Sequence, residues 1–235
     1  MSRISLELVP RDEQALIDDL LCVKNNFPHI DTVNVPDIIR FPLRSWHACQ
    51  MAANYVSHQI PHIRAIDFSM KEPAALVKII EDCSLKEVLI VSGDPPQDLS
   101  RKVYRTASTT VIRFLKNQFP ALKVYAALDP YRSGLKAEMD YVNKKVEAGV
   151  DAFFTQPFFD VRYMELYAEQ LQGIEVYWGV SPVLGERSRS YWENRNHAFF
   201  GRDFEPTLEW NIAFAREALQ WVRSNGGNIY FMPIR

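Results

Sequence analysis

The 235 residues of this chain predict an α/β fold of the (β/α)8 TIM barrel class, and three observations carry that prediction. About eight short apolar or alternating runs are separated almost everywhere by segments of helical periodicity, over nearly the ~250 residues typical of such a barrel. Polar residues gather at or just beyond the ends of those runs: Glu7, Asp67, Asp94, Asp129, Gln156, Ser181 and Arg235. Barrel enzymes place their sites there. No GxGxxG fingerprint follows any run, so a dinucleotide-binding Rossmann unit has no support. Periodicity leaves closure into a barrel undecided against an open doubly wound sheet.

Ile4 to Val9 alternates, with Ile4, Leu6 and Leu8 on one side and Ser5 and Glu7 on the other. In a barrel strand this directs Glu7 inward near the C-terminal mouth; in a solvated edge strand it would face water. Pro10 ends the run, and Ala15, Leu16, Leu20 and Val23 mark a helix over Asp12 to Asn26. Asp31 to Val35 reads as a second strand stopped by Pro36, and Ser45 as the cap of a helix carrying Trp46, Cys49, Ala53 and Val56. The third strand is placed at Ile60 to Asp67, with His62 and Arg64 on one side. A histidine in a strand is commonly structural; His62 gains interest from sharing an interior with Glu7.

Glu72 to Cys83 reads as a helix with Pro73 in its first turn. The buried strand Lys86 to Val91 runs into Ser92-Gly93-Asp94-Pro95-Pro96, where Gly93 permits close approach of a ligand and Asp94 sits on a stiffened loop. An Asp that merely shapes the turn is the plainer alternative. Arg105 to Gln118 is helical, Leu122 to Leu128 a strand, and Asp129 to Gly134 a compact loop.

The most informative stretch is Lys144 to Asp160. A helix ends at Gly149, a short apolar strand Ala152-Phe153-Phe154 follows, and Thr155-Gln156-Pro157 leads out to Phe158, Phe159 and Asp160, which is placed to cap the next helix. Gln156 flanked by aromatic rings suits a flat, hydrogen-bonding ligand, or else satisfies loop backbone groups. Tyr163 to Leu171 is a helix and Ile174 to Val180 a strand. Glu186 to Asp203, dense in Arg and aromatic residues, reads as a lid or pocket wall more than a core helix, with plain packing of the aromatics as the alternative. A long helix after Pro206 is broken at Gly226-Gly227, and Asn228 to Pro233 is the last strand.

The chain therefore reads as one domain, residues 1–235, without a linker or low-complexity tract. With the eighth strand last, the final covering helix is absent, and an apolar seam between strands eight and one predicts a homo-oligomer or a heteromeric partner. A formal net charge of −2 with interspersed signs offers no footprint for nucleic acid or membrane, and points to a small-molecule partner. Three cysteines without a CxxC pair, and no apolar leader, fit the cytoplasm. No metal-ligand set is apparent.

Taken together the motifs resemble the methylenetetrahydrofolate reductase family, whose members are (β/α)8 flavoproteins. The resemblance rests on Ser5 to Pro10, Pro61-His62 with Asp67, Ser92-Gly93-Asp94, Lys145 to Gly149 through Thr155 to Asp160, and Tyr230 to Arg235. It implies reduction of 5,10-methylenetetrahydrofolate to 5-methyltetrahydrofolate with NADH or NADPH through FAD. By the same resemblance Glu7 is the general acid, Asp94 tunes the reacting pair and contacts the pterin, and Gln156, the Phe158 region and Arg235 hold the folate. His62, Ser92, Gly93, Glu138 and Lys145 are the expected cofactor contacts. Departures cluster on the flavin side: Pro36 and Ser92 stand where the family has a hydroxyl residue and Arg, and the loop Asp129 to Gly134 is short. A flavin-independent reductase and a non-catalytic, partner-dependent folate-binding subunit are the alternatives those departures raise.

Overall fold

The computed structural model describes residues 2–96 and 101–233. Eight parallel strands close into a barrel in sequence order: β1 Ile4–Glu7, β2 Thr32–Val35, β3 His58–Arg64, β4 Glu87–Val91, β5 Lys123–Leu128, β6 Ala152–Pro157, β7 Val176–Val180 and β8 Asn228–Phe231. Pairing of Ser5 with Tyr230 and of Leu6 with Phe231 completes the ring. The connecting helices are α1 Glu13–Asn26, α2 Ser45–Ala52, α3 Ala74–Asp82, α4 Ser108–Gln118, α5 Leu135–Glu147, α6 Val161–Gln170, α7 Glu186–Asn196 and α8 Leu208–Asn225. Among the described residues no helix follows β8, and none is long and apolar enough to cross a membrane.

Local chemistry accounts for most boundaries. Asp12 and Asp160 cap α1 and α6 by accepting from the Ala15 and Arg162 amides, and Gly149, at φ +95°, follows the end of α5 as the left-handed position requires. Ser45 departs from expectation. It is the first residue inside α2, and its Oγ donates to the His62 carbonyl at 2.7 Å, tying α2 to β3 rather than capping a helix. The third strand also ends earlier than its alternation suggested, because Ala65–Asp67 coil into a turn of 3₁₀ helix. Conversely β6 continues through Thr155 and Gln156 to Pro157, with its register against β7 slipping between Phe154 and Pro157.

Two apolar layers result. The larger lies between the strands and the outer helices. The smaller fills the barrel with Ile60, Leu89, Tyr125, Phe154, Tyr177 and Tyr230, the rings of Phe154 and Tyr177 stacking at 4.2 Å. Tyr230 spans the interior to donate to the Thr155 carbonyl. Gly179 makes room for it, since a Cβ there would lie 2.8 Å from the Thr155 oxygen and 3.0 Å from the Tyr230 ring. At the lower end Arg3 binds Glu87 through both guanidinium nitrogens, with Tyr125, Tyr177 and His58 closing the network. At the seam Ile229 is fully buried in the layer shared with Phe214, Ala218 and Val222 of α8, while Leu6 and Phe231 stay half-buried.

Candidate active site

Three strands bring a polar cluster to the upper interior. Glu7 ends β1, Asn34 is the polar residue within the otherwise apolar end of β2, and His62 projects from β3. Asn34 joins them. Its Nδ2 donates to Glu7 Oε2 at 3.0 Å and lies 3.2 Å from His62 Nε2, while its Oδ1 accepts from Ser5 Oγ at 2.8 Å. An amide nitrogen only donates, so His62 Nε2 is an acceptor and the ring proton resides on Nδ1.

Burial sets the protonation of both titratable groups. Removal from water raises the Glu7 carboxyl to about 7, the hydrogen bond from Asn34 opposing the shift only in part. The same burial lowers His62 to about 3, so the imidazole is neutral near pH 7. The arrangement therefore holds a carboxylic acid that carries and releases a proton near neutrality beside a neutral acceptor, as general acid catalysis requires.

A cavity of about 980 Å3 meets this cluster at His62 and is lined further by Arg64, Val91, Gly93 and Asp94 together with the segment after β2 and Arg195 of α7. Its size suits a small-molecule ligand. Gly93 has φ +82°, and a Cβ there would sit 2.8 Å from Arg64 Nε, so the close approach concerns the protein's own guanidinium as well as any ligand. Arg64 Nη2 donates to the Asp94 carbonyl. Asp94 is an exposed lining residue of the cavity, and Ser92 is exposed but does not line it. Gln156 is half-buried beside the register slip of β6, and its side-chain amide makes no hydrogen bond among the described residues. From Glu186 to Asp203 only Arg195 lines the cavity among the described residues, while Trp192 packs with Phe159, Val183, Ala198 and Phe204 in an aromatic cluster.

Other expected site residues lie elsewhere. Phe158 is fully buried against Tyr163 and Tyr167 of α6 and against Trp178, and does not line the cavity. Arg235 lies outside the described residues. Glu138 and Lys145, seven positions apart on α5, share the helix face turned toward β5. The Glu138 carboxylate, 0% exposed, accepts from Arg132 and from the Asp129 amide. The Lys145 ammonium, 3% exposed, donates to the Ala127 carbonyl and stands 4.0 Å from the centre of the Tyr141 ring. Desolvation lowers its pKa to about 8, against the attraction of Glu138. Both charges are committed to partners within the chain, so they do not fit the flavin contacts expected of them.

Sequence reasoning passed over Asn34, Ser5 and the arginines of the cavity. An Asn enclosed by Val33 and Val35 was the available signal, since a polar residue in a buried parallel strand needs partners.

Residues 42–185, more than half of the chain, match the family model described as methylenetetrahydrofolate reductase. The 5,10-methylenetetrahydrofolate reductase of Buchnera aphidicola subsp. Schizaphis graminum is 21% identical over 128 residues, covering 52% of this chain and 44% of the relative. That of Escherichia coli strain K12 is 23% identical over 128 residues, covering 52% and 43%. The matched segment thus spans less than half the length of these curated relatives. Among solved structures, an uncharacterized protein from Clostridium thermocellum that binds two copies of 5-methyl-5,6,7,8-tetrahydrofolic acid aligns with TM-score 0.67 at 12% identity, over 99% of this chain and 89% of that one. A 2,3-dimethylmalate lyase aligns with TM-score 0.55 at 12% identity, over 96% and 81%. At such identity these two establish a shared barrel fold.

Proposed function

The chain belongs to the methylenetetrahydrofolate reductase family, and from that premise we propose that it reduces 5,10-methylenetetrahydrofolate to 5-methyltetrahydrofolate with hydride from NADH or NADPH. The observation that carries the reading is the Glu7 carboxyl, raised to about 7 and held by Asn34 at the floor of the mouth. Protonated Glu7 gives its proton to N10 of the substrate as the C–N10 bond breaks. The electron pair of that bond stays on nitrogen, and the one-carbon unit is left as an iminium at N5. Hydride then adds to that carbon and makes the methyl group, so one proton and one hydride are consumed and the nicotinamide leaves oxidised. Gln156 and Asp94 are the proposed contacts of the pterin edge, the amide donating and accepting and the carboxylate accepting from the amino group. His62, neutral and hydrogen-bonded, shapes the floor without adding charge next to the iminium.

A specific observation favours direct transfer from the nicotinamide over transfer through FAD. Glu138 and Lys145, the expected holders of the flavin nucleotide, are buried and satisfied internally. The experiment is turnover of the purified chain with NADH or NADPH and methylenetetrahydrofolate, with visible spectra recorded before and after addition of FAD and removal of the unbound portion. Turnover without flavin, reduced about 10²-fold or more in Glu7→Gln, supports direct transfer. Turnover only with stoichiometric flavin restores the FAD route. Folate binding without turnover in either condition refutes the reductase reading and leaves a binding subunit.

A further inference from the structure

A second cavity, of about 610 Å3, opens at the end of the barrel opposite Glu7, between the C-terminal parts of α6 and α8 and over the start of β7. Its walls differ in chemistry. Leu171, Ile174, Val176 and Val222 give it an apolar floor. Trp221 of α8 stands on one side, its ring crossing that of Trp178 edge to face at 5.2 Å. On the other side α6 presents Glu165 and Glu169, one helical turn apart on the same face. Both are exposed, and neither makes an ion pair or a side-chain hydrogen bond among the described residues. No Lys or Arg lines the cavity among those residues, so the two carboxylates repel each other without a cation between them.

An acidic pair on a helix is ordinarily a solvated face; Trp178 sets this one apart. It is 4% exposed, and its Nε1 makes no hydrogen bond among the described residues. A buried indole N–H normally finds an acceptor. This one faces Gly227, itself a lining residue of the cavity, where a Cβ would lie 3.2 Å from Nε1. The missing side chain leaves the donor turned to the cavity. The edge of the cavity is open as well, since a Cβ at Gly173 or Gly226 would meet nothing within 4 Å. One groove thus brings together two carboxylates without a counter-ion, an aromatic face, an apolar floor and a buried donor without an acceptor.

We propose that this groove binds an arginine-bearing peptide segment of a partner protein. The guanidinium meets Glu165 and Glu169 and lies against the Trp221 ring, combining charge-assisted hydrogen bonds with stacking. The aliphatic stem of the arginine covers Ile174 and Val222 while its head stays at the charged edge. A backbone carbonyl of the peptide accepts from Trp178 Nε1. A peptide is the occupant because these walls call for a cation, an apolar stem and a neutral carbonyl acceptor in one molecule. The groove is separate from the cavity that meets His62, and the proposal stands whether or not the reductase reading does.

The test measures binding without turnover. The full chain is titrated calorimetrically with the blocked dipeptide N-acetyl-leucyl-arginine amide, with its neutral citrulline counterpart, and with butylguanidinium, which keeps the cation and lacks the carbonyls. The arginyl peptide is expected to bind at least tenfold more tightly than either of the others. Its affinity is expected to fall at least tenfold in the double variant Glu165→Gln/Glu169→Gln, whose exposed positions leave the fold intact by circular dichroism. A fall of about fivefold is expected in Trp178→Phe, which keeps a ring and removes the donor. Glu81→Gln, on α3, should bind as the unmodified chain does. Failure of the arginyl peptide to bind, equal affinity for the citrulline peptide, or equal affinity in the double variant overturns the proposal. Unchanged affinity in Trp178→Phe, or butylguanidinium binding as tightly as the peptide, assigns the groove to a small cation and overturns the peptide. Self-association of the unmodified chain in sedimentation that the double variant abolishes assigns the groove to a second copy, and overturns it likewise.

Discussion

Replacing Glu7 by Gln removes one titration while keeping the side chain's shape and an oxygen for the Asn34 amide. The carboxyl titrates at about 7 against an ordinary 4.5. The folded chain therefore binds more protons than the unfolded chain between those values, and the wild type loses stability as pH rises through that window. At 1.36 kcal/mol per unit the displacement corresponds to about 3 kcal/mol, and screening at the half-buried mouth reduces it to about 2 kcal/mol. The variant lacks this loss. Its stability advantage over the wild type should grow from near zero at about pH 4 to about 2 kcal/mol at about pH 8. Urea unfolding of both proteins across that range, followed by circular dichroism, reads the difference directly. His62, which titrates at about 3 and destabilises the folded chain increasingly as pH falls below its ordinary 6.5, is present in both proteins and cancels. A difference that does not change with pH, or that shrinks as pH rises, would refute the assignment of a raised carboxyl. In the proposed reaction the same proton makes kcat/KM of the wild type fall about tenfold per pH unit above about 7.

Asn34→Ala strips the bridge from Ser5, Glu7 and His62 and leaves buried polar atoms unpaired, so about 2–3 kcal/mol of stability should be lost in denaturant titration. Because the Asn34 hydrogen bond holds Glu7 down, the alkaline limb of its activity profile should also move to higher pH. Gly93→Ala combines a strained φ of +82° with a Cβ 2.8 Å from Arg64 Nε; a loss of about 1–3 kcal/mol is expected, and an unchanged melting temperature would contradict it. Glu87→Gln leaves Arg3 charged without its carboxylate at the lower end of the barrel, costing about 2–4 kcal/mol by thermal unfolding. Burial alone would raise the Glu87 pKa, but hydrogen bonds from Arg3, Tyr125 and His58 outweigh it and lower the net value. The pair's stabilisation is thus present above the ordinary carboxylate range and lost as pH falls through the folded value, so the wild type and Glu87→Gln should converge in acid.

The sequence alone determined what short-range periodicity encodes. Alternation in Ile4 to Leu8 placed Glu7 inside, Gly149 ended a helix, Asp160 capped the next, and the repeated β/α order announced a parallel sheet. These readings hold because each depends on a few neighbouring residues whose backbone preferences are settled locally. The surroundings of Phe158 and of the α5 charges were not legible there, for the complementary reason. Nothing within a strand end says whether Phe158 faces a ligand or α6, and nothing within α5 says that Arg132 and the Ala127 carbonyl wait to receive Glu138 and Lys145. The tertiary structure decided barrel closure through β1–β8 pairing, the Asn34 bridge between residues 27 and 28 positions away, and the gathering of Arg40, Arg64, Arg101 and Arg195 around one cavity. Each depends on contacts between segments far apart in the chain, which no local period encodes, and on burial, which moved Glu7 and His62 in opposite directions only once the barrel had enclosed them.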